Sequence, residues 1–431
     1  MFVLYNLLIW ITIPLWVPWM LLRSRRRQAP VNWRQRTGSY PFVMTKGSRR
    51  IWVHAVSVGE VVAALPVLRE VRAMAPDAEI VLSTTTSSGN QTAKEKAGEI
   101  VTHVVYFPID LPAFTLAALA RVRPQVVAIM ETELWMNFLW ACKEINAKTM
   151  VINGRVSDRS FPRSRRLGFF YRALFRWVDD VLVQTPTDAE RMQVLGARNP
   201  EVLGNVKFDE AVAGLDADPA QWKDSLGLDP RLPSLVIGST RGEKEEEFVR
   251  AALTELDQTH RDQYNFIWAP RHIESAPALA ANVNAVRRSQ GEKGSRMILD
   301  TFGELSQVYC VADIVIIGGG FDNLGGQNLI QPLAHGKPVI HGPHMQNFRI
   351  PTELAAQAGA TLVADNPTAL ATHLRELLNY PDRRDEMGRR ARDTVSDHVG
   401  ASRRYAERIV AHLPELTAKS AVPSTKKKGR R

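Results

Sequence analysis

Three kinds of side chain in this sequence sit where chemistry is done. The first is a pair of carboxylates. Glu60 ends the run IWVHAVSVGE (51–60), and Glu131 opens ETELW (131–135) directly after the apolar run VVAIM (126–130). Two roles suit Glu60: a helix-start carboxylate favoured by the helix dipole, or a general base that takes a proton from a hydroxyl. They oppose each other, because a helix N-terminus lowers a carboxylate pKa and weakens the base. The second kind is a basic segment. NGRVSDRSFPRSRR (153–166) gathers Arg155, Arg159, Arg163, Arg165 and Arg166 near Phe161 and Phe169. It is either a solvated surface or a site for an anionic lipid or phosphate, since a guanidinium offers bidentate donors.

The third kind is a set of small and polar residues suited to a nucleotide. GSTRGEKEEE (238–247), Pro270-Arg271 in APRH (269–272), Phe302-Gly303-Glu304 in FGEL (302–305) and GGGFDNLGGQNLIQP (318–332) follow one another in the second half. Backbone N–H groups at such turns hold phosphates, and Asn328 and Gln331 could reach a ribose. Simpler nucleotide motifs are absent. Gly336-Lys337 runs into Pro338 rather than Ser or Thr, and Asn323 breaks a GxGxxG at 318–323. HGPH (341–344) reads as a turn rather than a ligand pair, and no paired-aspartate metal motif occurs. Cys142 and Cys310 are the only cysteines, which argues against a disulfide scaffold or a thiolate zinc site.

Strands must carry these residues. Candidates are 51–55, 79–83, 103–107, 126–130, 148–152 and 180–184, and then 234–238, 265–269, 296–299, 314–317, 338–341 and 361–364. Amphipathic stretches alternate with them, and 382–412 reads as helical and charged. This rhythm predicts parallel sheets covered by helices on both faces. With 431 residues the chain suits two or three domains. The rhythm weakens over 211–232. The expected plan is a membrane anchor with basic flank (1–27), a Rossmann-like N-terminal domain (28–210), a linker (211–232), a second Rossmann-like domain (233–415) and a basic, disordered tail (416–431). Ligands bind at the carboxyl ends of such sheets, which places the singled-out residues around a cleft between the two domains.

The net charge of +10 is concentrated at the ends. Arg23, Arg25, Arg26 and Arg27, with Lys426, Lys427, Lys428, Arg430 and Arg431, account for nine of the ten charges. A nucleic-acid domain would be basic across its folded face, so nucleic acid is not an expected partner. Residues 2–22 carry no charge, contain Trp10, Trp16 and Trp19, and precede the arginine cluster. That length would span a membrane at ~1.5 Å per residue, and the arginines would hold the rest of the chain on the cytoplasmic side. Pro14 and Pro18 leave an inserted but non-spanning anchor open as well.

One ordered set of motifs covers nearly the whole chain: NWR (32–34), HAVSVGE (54–60), TTTSSG (84–89), FPID (107–110), ETELW (131–135), NGRVSDRS (153–160), GNVKFD (204–209), APRH (269–272), GEL (303–305), GGxxxxxGGQN (318–328) and GKPVIHGPHMQNF (336–348). It resembles the Kdo transferase family, whose members add 3-deoxy-D-manno-octulosonic acid to the lipid A precursor. The resemblance implies an inverting glycosyltransferase of the two-Rossmann-domain GT-B type at the inner membrane. It implies CMP-Kdo as donor, lipid IV-A as acceptor, phospholipid contact, and neither cofactor nor metal. By the same match Glu60 is the base, Glu131 and Lys207 support the transition state, and Pro270, Arg271, Phe302, Gly303, Glu304, Asn328, Leu329, Ile330 and Gln331 hold CMP. Where the family reads GGHNxLEP this chain has GGQNLIQP, with Gln327 for His and Gln331 for Glu. Gln331 brings one carbonyl acceptor and no charge to the ribose. The substitutions also fit a transferase of the same architecture with a different nucleotide-sugar donor. A silent lipid-binding homologue and a nucleotide-sugar epimerase are further readings, disfavoured respectively by the retained Glu60 and Lys207 and by the anchor and arginine segment.

Overall fold

Runs such as Ile51-Trp52-Val53 and Val126-Val127-Ala128-Ile129 are apolar on both faces and buried on both. Such runs suit parallel strands sandwiched between helices. The computed structural model describes residues 1–26, 32–212 and 215–415. They divide into two units, one formed by Met1–Val206 with the residues from Gly400 onward, the other by Lys207–Val399.

The first unit holds β1 (Arg50–His54), β2 (Glu79–Thr84), β3 (His103–Tyr106), β4 (Val126–Met130), β5 (Lys148–Gly154), β6 (Asp180–Val183) and β7 (Glu201–Val202). They form one parallel sheet in the order β3-β2-β1-β4-β5-β6-β7. The order reverses between β1 and β4. These two strands pair in register from Ile51↔Val126 to His54↔Ile129, so the loops that follow them leave the sheet side by side. Helices depart to opposite faces at that point and open a crevice.

The second unit repeats the plan with β8 (Ser234–Thr240), β9 (Asn265–Pro270), β10 (Val286–Arg287), β11 (Arg296–Ile298), β12 (Ile314–Ile317), β13 (Val339–His341) and β14 (Thr361–Val363). The order is β10-β11-β9-β8-β12-β13-β14, and the reversal falls between β8 and β12. All twelve expected strands are present. Only β7 and β10, two residues each, are additional.

The division of the chain differs from the expected one in two places. Residues 211–232 are not a spacer. Helix Pro219–Leu226 lies there, and Ala211, Leu226 and Leu228 are buried in the second unit's core with Trp222 packed on it. The apolar residues among the prolines belong to that core. Residues 213–214 fall outside the described set. The second domain also stops before 415, because helix Ala401–Ala411 belongs to the first unit. Tyr405 is fully buried there, and its hydroxyl donates to Val183 O (3.0 Å) and Gly204 O (2.8 Å). Ala406 and Ile409 join the core beneath β1 and helix Val58–Met74. The basic tail, 416–431, lies outside the described residues.

The N-terminal helix runs from Phe2 to Arg26. Among the described residues no helix is long and apolar enough to cross a membrane, so the span expected over 2–22 is not found. Its first turns are spent on the protein body. Tyr5 Oη donates to Asp110 Oδ2 (2.7 Å), Asn6 and Asn137 exchange hydrogen bonds of 2.9 Å, and Phe2 packs on Trp140 with centroids 5.0 Å apart. The other face is open: Val3 is 79% and Leu15 73% exposed, with Leu7, Trp10 and Ile11 exposed between them.

Candidate active site

The sequence Ser57-Val58-Gly59-Glu60 has the spacing of a capping box, in which Ser caps the helix and Glu reaches back to a backbone N–H. Neither bond of that box forms, and Glu60 reaches one residue further back instead. Helix Val58–Met74 begins after Ser57, whose hydroxyl makes no cap bond. The Ser57 hydroxyl instead donates to Glu60 Oε1 (3.2 Å), while Val56 N donates to Glu60 Oε2 (2.8 Å). Burial pushes the Glu60 pKa up to about 7, and the negative charges of Glu131 and Glu133 add to it against those two hydrogen bonds. The dipole argument raised against a base at this position is outweighed by desolvation.

Glu131 stands at the carboxyl end of β4 with a left-handed backbone, φ +55°. A non-glycine residue pays strain for that conformation. Glu131 N donates to Ile152 O (3.0 Å), which fixes the turn. Its carboxylate lies 3.8 Å from Arg155 Nε at the end of β5. Glu133 is raised in pKa by burial and by Glu131. The β1–β4 reversal thus brings Glu131 and Glu133 within electrostatic reach of Glu60, and among the described residues only Glu131 of the three has a guanidinium in ion-pair range. His54, at the end of β1, is held neutral by burial with a pKa of about 3, and its Nδ1 faces Ser83 Oγ at 2.9 Å. It takes no part in proton transfer near neutrality.

Of the basic segment's arginines, only Arg155 is paired with a carboxylate among the described residues. Arg159, Arg163, Arg165 and Arg166, on and before helix Phe161–Arg166, are exposed, next to exposed Leu167 and Phe169. The next helix, Gly168–Phe175, touches the N-terminal helix through Phe170 and Tyr5, centroids 5.9 Å apart.

In the second unit the reversal between β8 and β12 is lined with backbone. Gly318 has no room for a side chain: a Cβ there would lie 2.5 Å from Thr240 Cα. Ser239 is left-handed at φ +59°. The brace of this region is Glu245, 1% exposed on helix Glu243–His260. Its Oε2 accepts from Arg241 N (2.6 Å) and Gly319 N (2.7 Å), and its Oε1 from Phe321 N (3.0 Å). One carboxylate therefore ties the turn after β8 to the glycine-rich loop after β12. Sequence reasoning passed over Glu245 because it sits in an acidic run, EKEEE, that reads as a solvated helix start.

The expected nucleotide residues fall around the same sheet edge. Arg271 is exposed just past β9, and its N donates to Thr240 O (2.8 Å). Phe302 is exposed after β11, beside Gly303 at φ +86°. Glu304 pairs with Arg288 at 3.2 Å and accepts from the Thr301 hydroxyl. Asn328 Oδ1 accepts from Ile330 N (3.0 Å). Leu329 and Ile330 are fully buried, so their side chains serve the core and only their backbone is left for a ligand. Gln331 is half-buried at the start of helix Ile330–Ala334. Lys207 opens helix Lys207–Val212 in this unit, with Nζ 4.9 Å from the Phe348 ring centroid. Glu60 and Glu131 thus share one unit, and Lys207 and the nucleotide residues share the other.

Two doubly wound parallel sheets, each with a strand-order reversal, follow the plan of the GT-B glycosyltransferases, and the fold falls in that class. The crystal structure of a UDP-GlcNAc 2-epimerase from Neisseria meningitidis aligns with a TM-score of 0.58 over 84% of this chain and 99% of that one, at 12% identity. A glycosyltransferase from Rickettsia africae aligns at 0.56 over 85% and 99%, also at 12%. These likenesses show the fold alone. The 3-deoxy-D-manno-octulosonic acid transferase of Bordetella pertussis is 35% identical over 381 residues, 83% of this chain and 86% of that protein. Residues 31–210 match the family described as 3-Deoxy-D-manno-octulosonic-acid transferase (kdotransferase). The chain belongs to the Kdo transferase family.

Proposed function

We propose that this enzyme transfers Kdo from CMP-Kdo to a sugar hydroxyl of the lipid A precursor lipid IV-A, with inversion at the anomeric carbon, in lipopolysaccharide biosynthesis. The observation that carries the mechanism is Glu60, a half-buried carboxylate with a pKa of about 7 at the β1–β4 reversal. A base with that pKa is half ionised near neutrality and accepts a proton efficiently there. Glu60 takes the hydroxyl proton of the acceptor, and the oxygen forms a bond to the anomeric carbon. The bond from that carbon to the phosphate oxygen breaks, and CMP leaves with the electron pair. Lys207 and Arg271 meet the charge that develops on the phosphate, and Glu131, oriented by its strained turn, supports the positively charged sugar. The loops at 302–304 and 328–331 hold the nucleotide. A single displacement inverts configuration, so the anomeric centre of an isotope-labelled Kdo product, read by NMR, is expected to be opposite to that of the donor. Retention would overturn the one-base mechanism.

The exposed apolar face of the N-terminal helix and the arginines at 159–166 support seating at a membrane interface, helix in the plane and arginines at anionic headgroups. We place the body on the cytoplasmic side of the inner membrane, where the donor is met.

Gln327 and Gln331 favour a second reading, a different nucleotide-sugar donor. The two readings part on one variant. Restoring an acidic residue with Gln331→Glu adds a charged acceptor for the ribose hydroxyls. A charge-assisted hydrogen bond is worth roughly 1.5–3 kcal/mol, so the KM for CMP-Kdo is expected to fall about tenfold or more. An unchanged or raised KM, with faster turnover of another nucleotide sugar by the wild type, would select the second reading.

A further inference from the structure

Beside the Glu60 loop, wholly within the first unit, lies a mostly apolar pocket of about 370 Å³. That volume is in the range that holds small ligands. Ile9 and Thr12 of the N-terminal helix contribute to its lining, together with Phe107, Ile109 and Trp135 of the body. The pocket also has a polar end. Arg36 lines it, with Nη2 donating to Thr85 O (2.6 Å) and the guanidinium 4.8 Å from the Tyr106 ring centroid. Among the described residues no carboxylate lies within ion-pair distance of this half-buried cation, whose partners are a carbonyl and an aromatic ring. Arg36 Nε, Thr85 Oγ1 and Trp135 Nε1 are buried without a hydrogen-bond partner, although buried polar atoms are normally paired. The one carboxylate of the lining, Asp110, is taken up by the Tyr5 hydroxyl and the backbone N–H groups of Asn137 and Phe138.

The pocket is close to the chemistry. Thr85 N donates to Val56 O (3.3 Å), and Val56 N donates to Glu60 Oε2. One residue, Val56, links the pocket wall to the proposed base. An apolar chamber with an unanswered cation at its edge suits an amphiphile: a fatty chain inside, a phosphoryl oxygen outside.

We propose that this pocket takes one fatty acyl chain of the acceptor, with Arg36 on a phosphoryl oxygen of the same molecule. This rests on the reading that the acceptor is an acylated sugar phosphate. The N-terminal helix then supplies part of the acceptor site and does more than tether the protein.

Thr12→Phe narrows the pocket from an exposed helix position that tolerates a ring, and Leu7→Phe puts the same ring on the open face, outside the pocket. Both full-length variants are assayed in detergent with saturating CMP-Kdo, on lipid IV-A and on the same disaccharide bisphosphate stripped of its acyl chains. Thr12→Phe is expected to raise the KM for lipid IV-A roughly tenfold, the loss of burying about two methylenes. It should leave kcat within twofold and the stripped acceptor unaffected, and Leu7→Phe should change neither. Equal losses on both acceptors, or no loss on either, would overturn the proposal. Wild-type protein that transfers to neither acceptor would sink the Kdo reading instead. The pocket is then read by quenching with a phosphatidic acid whose acyl chains are brominated. The share of quenching that disappears in Trp135→Phe should also disappear in Thr12→Phe, and no Trp135 share in the wild type would overturn the pocket's role.

Discussion

Glu60→Gln is expected to lower kcat by about 10²–10⁴-fold, the range over which a positioned base accelerates proton transfer. The amide keeps the shape and still accepts from Val56 N, so the loss reads the base and not the fold. The pH dependence carries the same information. The base works as carboxylate, and burial raises its pKa to about 7, so wild-type kcat/KM should fall tenfold per pH unit below about 7 and level off above it. Stability moves the opposite way. A carboxyl whose folded pKa is raised favours the folded state when protonated. That contribution is fully present below the unfolded value of 4.5 and is lost as pH rises through about 7. Glu60→Gln removes the need to ionise a half-buried group, so its Tm should equal or exceed that of the wild type at pH 8. A variant that keeps its activity, or a rate profile flat between pH 5 and 7, would remove Glu60 from the mechanism.

Glu245→Ala is expected to damage the donor side as severely by another route. It orphans the N–H groups of Arg241, Gly319 and Phe321, which the carboxylate now holds. Leaving buried donors unpaired costs about 1–3 kcal/mol each before relaxation. A net loss of about 2–4 kcal/mol would lower the Tm of a unit of this size by roughly 10 °C. The glycine-rich loop would lose its register, and the KM for CMP-Kdo should rise by about tenfold or more while the acceptor KM stays within twofold. Calorimetry and donor titration on the same sample decide it. A native Tm with a native donor KM would show that Gly318 and its packing hold the loop unaided.

Glu60 and Glu245 occupy the same place in the two units. Each is the third residue of the helix after the first strand of its sheet, and each accepts from the backbone N–H four residues earlier. What differs is how far the carboxylate is satisfied. Glu245 holds three backbone donors and is 1% exposed, so it braces. The Glu60 pKa is raised chiefly by burial, with the charges of Glu131 and Glu133 adding to it, and its one backbone donor and one hydroxyl do not offset them, so it reaches about 7. The two roles weighed for Glu60 from sequence, structural carboxylate and base, thus have a counterpart in each unit: Glu245 is the structural carboxylate, and Glu60 is the one we propose as base.

That distinction was not legible in the sequence, because satisfaction depends on loops 70 residues away. The strands were legible, since short two-sided apolar runs such as VVAIM and IVII alternate with amphipathic stretches, the pattern of a buried parallel sheet. β7 and β10 were not, because a two-residue edge strand such as Glu201–Val202, exposed on both residues, carries no period. The course of the C-terminal helix was hidden for a related reason. Amphipathicity shows that Tyr405 and Ile409 face a core, but not which of two cores. The N-terminal run misled in the other direction. Its lack of charge reads as a span, while Tyr5 and Asn6, two polar residues in its first turns, are the ones that dock it to Asp110 and Asn137.

The most direct measurement is the mass of lipid IV-A after incubation of detergent-solubilised wild-type protein with CMP-Kdo, beside Glu60→Gln. The account predicts a gain of one or more Kdo masses with matching release of CMP, reduced at least a hundredfold in the variant. No gain by the wild type with CMP-Kdo still intact, or an equal gain by the variant, would contradict it.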